Sequence, residues 1–100
     1  MTISKERDGD RLTIAIKGAL DTETAPALEK ELKSGLLDGI TDLFFDFAEV
    51  TYVSSFGLRV LLYAHTTMAH RHGQMVLRNV SPDVQDVFDV TGFARFLDVE

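Results

Sequence analysis

Two adjacent serines, Ser54 and Ser55, lie in the segment Val53-Ser54-Ser55-Phe56-Gly57-Leu58, between an apolar run and a stripe of apolar residues at helical spacing. A serine hydroxyl can act as a nucleophile, take a phosphoryl group, or cap a helix by accepting a backbone hydrogen bond. The first amides of a helix lack acceptors and the helix dipole is positive there, so an added phosphate is well accommodated. Gly57 costs about 1 kcal/mol of helix propensity relative to alanine, which indicates that another group approaches the backbone closely there. The sequence therefore predicts a helix cap, a modification site, or both.

Serine catalysis is the first alternative to weigh. The segment lacks the first glycine of the G-x-S-x-G nucleophile elbow. His65 and His72 are two helical turns apart, about 10 Å along the axis, and His70 falls on another face, so neither a zinc site nor a base for Ser55 is predicted. There is no cysteine, which excludes thiolate chemistry. We expect no enzymatic activity, no metal and no cofactor.

The elements before the serines begin with a predicted β-hairpin. Apolar residues Leu12, Ile14 and Ile16 alternate with polar ones at the period of a half-buried strand, a first strand begins at Ile3, and the turn is at Gly9. Gly18 is predicted to close the second strand.

A first helix follows. Leu28, Leu32 and Leu36 recur at helical spacing. Residues Asp21 to Thr24 offer caps, Pro26 is tolerated in the first turn, and the segment Gly35 to Gly39 is predicted to end the helix.

The serines themselves are flanked by a strand and a second helix. The aromatic run 42–47 predicts a central strand with little solvent on either face, followed by a loop over 48–53. A helical stripe over 58–69 then ends in His70-Arg71-His72, and Gly73 is predicted as the C′ residue.

The last third of the chain predicts a strand over 75–77, a helix and a short strand over 96–99. Ser81 is the predicted N-cap of a helix from Pro82 to about Thr91, which Gly92 ends. Its core-facing candidates are Val84, Val87 and Phe88. The order β-β-α-β-α-β-α-β predicts an α/β fold with a mixed sheet, in which parallel neighbours follow an antiparallel hairpin.

Size and charge limit the function. A chain of 100 residues is enough for a single domain, predicted over 1–100, and an apolar fraction of 45% is typical of a globular protein. The formal charge of −6 repels phosphate backbones and anionic lipids, so we expect no direct nucleic-acid partner and no membrane insertion. Residues Met1 to Asp10 lack the apolar region of a signal peptide, and a cytoplasmic location is predicted.

Two motifs resemble a known family. Asp46 followed by Val53-Ser54-Ser55-Phe56-Gly57-Leu58 resembles the phosphorylation-site signature of STAS-domain anti-sigma factor antagonists, an acid-serine-small-glycine-leucine run after a strand-ending aspartate. Upstream, Gly18-Ala19-Leu20-Asp21 with Thr24-Ala25 is similar to the family's glycine-x-leucine-aspartate turn. The resemblance implies a STAS-like mixed sheet with helices packed mainly on one side, and Ser55 as the phosphorylated residue, with Ser54 as second choice. Ser54 replaces a frequent aspartate, and Phe56 replaces a small residue.

The function implied by the resemblance is partner switching. Such a protein binds an anti-sigma factor serine kinase when unphosphorylated and thereby frees the sigma factor; phosphorylation ends the binding, and a serine phosphatase restores it. The predicted partner-binding residues are Asp21, Thr24, Ser54, Ser55, Phe56 and Gly57.

Three alternatives stay open at this point. Asp21 either contacts a partner arginine or caps the first helix, and Phe56 is either an exposed apolar anchor or packed under that helix. The alternative function is an accessory STAS subunit of a lipid-transport ATPase. The oligomeric state is not predicted.

Overall fold

In the computed structural model, which describes residues 2–100, five strands and three helices alternate in the predicted order. The strands are β1 (Thr2–Asp8), β2 (Arg11–Leu20), β3 (Asp42–Val53), β4 (Gln74–Arg78) and β5 (Asp98–Val99). The helices are α1 (Ala25–Glu31), α2 (Ser55–His70) and α3 (Pro82–Thr91). Residue 1 of the predicted single domain lies outside the described residues.

The strands form one mixed sheet in the order β1-β2-β3-β4-β5. β1 and β2 are antiparallel and joined by a tight turn in which Gly9 has a φ of +63°, while β2, β3, β4 and β5 are parallel neighbours. The predicted opening hairpin and the central place of β3 are both confirmed.

The hydrophobic core lies on one face of this sheet. Alternate side chains of β2 and β3 are buried there, and the apolar residues of all three helices belong to the same core. The Phe47 ring links the layers, with its centroid 6.2 Å from that of Phe45 and 6.5 Å from that of Phe88 on α3. Burying a side chain of this size contributes about 1.5–3 kcal/mol. The expected packing of helices on one side is therefore confirmed.

The opposite face of the sheet corrects one prediction. Phe44 and Asp46 on β3 are half-buried rather than sealed. The Phe44 ring is covered by two guanidinium groups, those of Arg11 at 4.2 Å and Arg78 at 4.0 Å from its centroid. Cations stacked on an aromatic face shield it from water without a helix above it.

The central strands are longer than predicted. β2 continues through Gly18 to Leu20, and the predicted loop at 48–53 belongs to β3. At two places, opposite 15–17 and 18–19 of β2, strand β3 has one extra residue. These bulges break the two-residue alternation of β3 by which a strand is predicted. The two strands end together, because Leu20 pairs with Val53.

Two helix ends also differ from the prediction. α1 ends at Glu31 rather than at Gly35, and Leu32–Leu36 form a π-type turn in which Gly35 has a φ of +91°. After α2 the left-handed residue is His72, with a φ of +58°, and not Gly73. Gly73 is instead tightly packed, since a Cβ there would lie 2.8 Å from the carbonyl oxygen of Thr41.

α3 has the predicted boundaries. The Ser81 hydroxyl accepts a hydrogen bond of 3.2 Å from the Val84 N–H, and Gly92 ends the helix with a φ of +83°. Val84 and Phe88 are buried and Val87 is half-buried, as expected for the core-facing side.

Candidate functional site

The candidate site lies where β2 and β3 end side by side. The Ser54 N–H donates to the carbonyl oxygen of Leu20 over 2.9 Å, which joins the start of α2 to the last residue of β2. The turn 21–24, which follows β2, therefore lies beside the turn that begins α2. Both serines and the predicted Asp21 and Thr24 belong to these two turns.

Gly57 allows this close arrangement. A Cβ at Gly57 would lie 2.5 Å from the carbonyl oxygen of Leu20 and 3.1 Å from Cγ1 of Val53. A side chain larger than hydrogen would push the first turn of α2 away from the strand ends. The predicted close approach to the backbone at Gly57 is confirmed, and the approaching group is the Leu20 carbonyl.

Ser54 is the N-cap of α2. Its backbone is extended, with a φ of −85° and a ψ of 174°, and its hydroxyl accepts a hydrogen bond of 3.2 Å from the Gly57 N–H. A cap of this kind is worth about 1 kcal/mol. The Ser54 hydroxyl is thus half-buried and engaged within the chain.

Ser55 is different, although it is the next residue. It is the first residue of α2 and is exposed, and within residues 2–100 its hydroxyl takes part in no hydrogen bond. Ser55 therefore presents a free hydroxyl to solvent at the start of a helix, where backbone N–H groups are available to an added anion.

Asp21 holds the turn after β2. Its Oδ1 accepts hydrogen bonds from the backbone N–H groups of Glu23 and Thr24, each at 3.0 Å. The pKa of the Asp21 carboxyl is held below its usual value, mainly by the hydrogen bond from the Thr24 N–H and secondly by the Thr24 hydroxyl. The Asp21 carboxylate is therefore engaged within the turn that leads into α1, whose N-cap residue is Thr24, and its contact with a partner stays a prediction.

Thr24 also has a structural role within the turn. Its hydroxyl oxygen lies 2.6 Å from the carbonyl oxygen of Ala19 and accepts a hydrogen bond of 2.9 Å from the Asp21 N–H. Hydrogen bonds between Asp21 and Thr24 thus hold the turn that leads into α1. Any partner at this site would meet a turn of defined shape.

Phe56 and Arg59 form a stacked pair beside Ser55. The Phe56 ring is half-buried against the core, and the Arg59 guanidinium carbon lies 4.8 Å from its centroid. Neither alternative for Phe56 holds fully, since the ring packs on the core while one part stays at the surface. Sequence reasoning missed Arg59, although its spacing of four residues from Ser55 places both side chains on one helix face.

A shallow cavity of about 380 Å³ connects these residues, lined by Thr22, Ser55, Phe56 and Arg59. Thr22 belongs to the turn after β2, so the cavity bridges the two turns. Arg59 is the cationic member of this lining. The cavity combines two hydroxyl groups, an aromatic ring and a guanidinium around the free Ser55.

Asp46 lies away from this site, contrary to the expectation of a strand-ending aspartate. β3 continues for seven residues beyond it, roughly 20 Å, and its side chain lies on the helix-free face. The Asn79 side-chain amide, at 3.0 Å, and then the Ala48 N–H keep the pKa of the Asp46 carboxyl below its usual value. Asp46 therefore forms hydrogen bonds at the sheet and does not contact Ser55.

The remaining chemistry-bearing residues are elsewhere. The His65 ring packs against Phe96, with 5.4 Å between centroids. Within residues 2–100 no group of three histidine, aspartate or glutamate side chains is arranged to hold a metal ion. In the same range no helix has the length and apolarity needed to span a membrane.

The sequence of the chain matches a known family over almost its whole length. The family model of the STAS domain matches residues 2–100. The chain belongs to the STAS-domain family. The anti-sigma-B factor antagonist of Listeria monocytogenes is 32% identical to this STAS domain over 97 residues, covering 96% of this chain and 84% of the relative.

Solved structures support the same fold. Unphosphorylated SpoIIAA, an anti-sigma factor antagonist, has a TM-score of 0.79 at 17% identity and covers 99% of this chain and 87% of its own. Phosphorylated SpoIIAA of Bacillus has a TM-score of 0.77 at 19% identity, and the match covers 99% of this chain and 91% of the SpoIIAA chain. The predicted family and fold of this STAS domain are confirmed, while the modified residue stays a prediction.

Proposed function

We propose that this STAS domain is an anti-sigma factor antagonist that is switched by phosphorylation of Ser55. Without the phosphate it binds an anti-sigma factor serine kinase through the surface formed by the turn 21–24 and residues 54–57, and so frees the sigma factor. The phosphate ends this binding, and a serine phosphatase restores it. We place this exchange in the cytoplasm.

The single observation that carries the proposal is the contrast between the two serines. Ser54 is engaged as a cap, whereas the Ser55 hydroxyl is exposed and free of hydrogen bonds within residues 2–100. A kinase can therefore reach the Ser55 Oγ without unfolding the helix. The similarity to the Listeria antagonist and to SpoIIAA, solved in both phosphorylation states, supports the same reading.

The chemistry requires ATP and a kinase as co-reactants. The Ser55 Oγ attacks the γ-phosphorus of ATP, the bond from that phosphorus to the β–γ bridging oxygen breaks, and the hydroxyl proton passes to a base of the kinase. ADP leaves, and a phosphomonoester with a charge of about −1.5 to −2 remains. In the reverse direction the phosphatase adds water across the ester and releases inorganic phosphate and Ser55.

Release of the partner follows from charge and solvation. A phosphate in a protein interface has to lose water, and that cost is not recovered unless the partner offers matching cations at the same place. At the start of α2 the same phosphate is tolerated by the fold, because backbone N–H groups and the helix dipole favour it. The switch therefore acts on binding rather than on folding.

The test is phosphate transfer in vitro. The protein is incubated with ATP and the candidate serine kinases of its own organism, and the modified residue is located by mass spectrometry. We expect wild type and Ser54→Ala to be modified at Ser55, and Ser55→Ala to stay unmodified. Calorimetry should then show binding of the kinase to the unphosphorylated protein and its loss after modification.

Two results would contradict the proposal. One is a phosphate on Ser54 or elsewhere while Ser55 stays free. The other is equal affinity of the kinase for the phosphorylated and unphosphorylated forms. Absence of phosphate transfer together with stable binding to a transport ATPase would favour the alternative function.

A further inference from the structure

We propose that the Arg59 guanidinium binds the phosphate of phosphorylated Ser55 within the same chain. The Phe56 ring, on which the guanidinium stacks, positions it at the cavity beside Ser55. This inference rests on the proposed function, because it concerns the phosphorylated state of Ser55. It adds a residue and a charge contact that neither motif contains.

The first observation is spacing along α2. Ser55 and Arg59 are four residues apart in a continuous helix, so their Cβ atoms are neighbours at about 5–6 Å. Both side chains line the same cavity, together with Thr22 and Phe56. A phosphate on the Ser55 Oγ would extend into this cavity toward the guanidinium.

The second observation is the way Arg59 is held. Its guanidinium lies over the face of the Phe56 ring, at 4.8 Å from the centroid. Stacking on a ring uses the flat side of a guanidinium and leaves its N–H groups free at the edge. In the described part of the chain, Arg59 forms neither a salt bridge nor a hydrogen bond through these groups.

The third observation is charge. The chain carries a formal charge of −6, and the turn facing the cavity contains Asp21 and Glu23. A dianion added to a chain of this charge meets repulsion unless a cation is near. Among the residues that line the cavity, Arg59 is the one that supplies a positive charge, and guanidinium binds phosphate through two parallel hydrogen bonds.

The consequence is a phosphate that is more completely ionised near neutral pH. A free phosphoserine loses its second proton with a pKa of about 6, so part of it remains a monoanion near neutral pH. A cation bound to the phosphate favours the dianion. With Arg59 in place, we expect a smaller fraction of the phosphate to be monoanionic at neutral pH.

The test is a pH titration of the phosphate by phosphorus NMR. Phosphoserine is placed at position 55 during translation, in wild type and in Arg59→Gln, so that no kinase is needed. We expect Arg59→Gln to raise the second pKa of the phosphate by about 0.3 unit or more. Arg59→Lys, which keeps the charge but not the paired hydrogen bonds, should give a value between the two.

Arg11→Gln is the matched control. Arg11 also stacks on a phenylalanine, but at the other end of β2, roughly 30 Å from the site. A phosphate pKa in Arg59→Gln no higher than in Arg11→Gln would overturn the proposal. So would an Arg59→Lys value equal to that of Arg59→Gln, since the positive charge would then have no effect.

The two proposals fail separately in these experiments. If kinases leave Ser55 unmodified, the proposed function fails while the titration of the built-in phosphoserine still reports on Arg59. If the second pKa of the phosphate is the same with and without Arg59, the proposed contact of Arg59 with the phosphate fails, while phosphate transfer to Ser55 stands.

Discussion

The backbone of Gly57 touches that of Leu20 so closely that a Cβ on Gly57 would lie 2.5 Å from the Leu20 carbonyl oxygen. This contact presses the first turn of α2 onto the end of β2 and sets the distance between the two turns of the site. The shape of the site therefore depends on the absence of a side chain at Gly57.

We expect Gly57→Ala to destabilise the protein by about 1–3 kcal/mol, because the added methyl group must displace backbone rather than a flexible side chain. Urea unfolding measures the loss. Ser55→Ala, a small change at an exposed neighbour in the same turn, is the control and should stay within about 0.5 kcal/mol of wild type. Equal stability of Gly57→Ala and wild type would show that the turn can shift freely.

Loss of the Ser54 cap should weaken α2 without removing the proposed modification site at Ser55. Ser54→Ala is expected to lower the free energy of unfolding by about 1 kcal/mol, because the Gly57 N–H loses its acceptor. Ser81→Ala is a matched control, since Ser81 caps α3 with the same distance of 3.2 Å to its amide. Both variants should lose similar stability, and Ser54→Ala should still be phosphorylated at Ser55. A cost for Ser81→Ala alone would contradict the capping role of Ser54.

A negative charge at position 55 should abolish binding of the kinase while it leaves the stability of the fold nearly unchanged. We expect Ser55→Asp to shift the thermal midpoint by less than about 3 °C, since a carboxylate at the first position of a helix is tolerated. Binding to the kinase should be lost. Ser55→Asn, similar in shape but neutral, is the control that should keep binding. A large drop in the melting temperature of Ser55→Asp alone would indicate that the charge acts through unfolding.

The hydrogen bonds of Asp46 should contribute to the free energy of unfolding in a way that is lost in acid. Its pKa is lowered in the folded protein by hydrogen bonds from Asn79 and Ala48, so the folded state favours the carboxylate. That contribution is present above the unfolded pKa of about 3.9 and is lost as the pH falls through the lower folded value. Near neutral pH we expect Asp46→Asn to be less stable by about 1 kcal/mol.

Urea unfolding of Asp46→Asn and wild type at several pH values checks this. The difference between the two should shrink as the pH falls below about 4 and approach zero in stronger acid. Asp86→Asn, at an exposed position on α3, is the control. A difference for Asp46→Asn that grows in acid would contradict the assignment. Binding of the kinase should not change, because Asp46 lies on the helix-free face.

The sequence predicted the architecture well because local patterns determine it. Alternation in β2 and the cap and glycine around α3 are signals within a few residues, and the predicted elements formed there. The continuation of β3 through 48–53 was missed, because irregular pairing with β2 shifts the register and removes the two-residue period. Such a shift depends on the neighbouring strand, which is distant in sequence.

The site was predicted in part for the same reason. Gly57 revealed a close approach through its propensity cost, but not that Leu20 is the neighbour. The contribution of Thr22 to the cavity arises from two turns brought together by the sheet. Arg59 could have been found from its spacing to Ser55, whereas its stacking on Phe56 required the side-chain positions.

The strand order of the sheet, which follows the order of the chain, bears on synthesis at the ribosome. Each new strand pairs with one that has already emerged, so we expect no long segment to wait for a late partner. Leu20, Val53 and the start of α2 emerge before β4 and β5. The residues of both turns of the candidate site are therefore present in the nascent chain before the last third of the protein is synthesised.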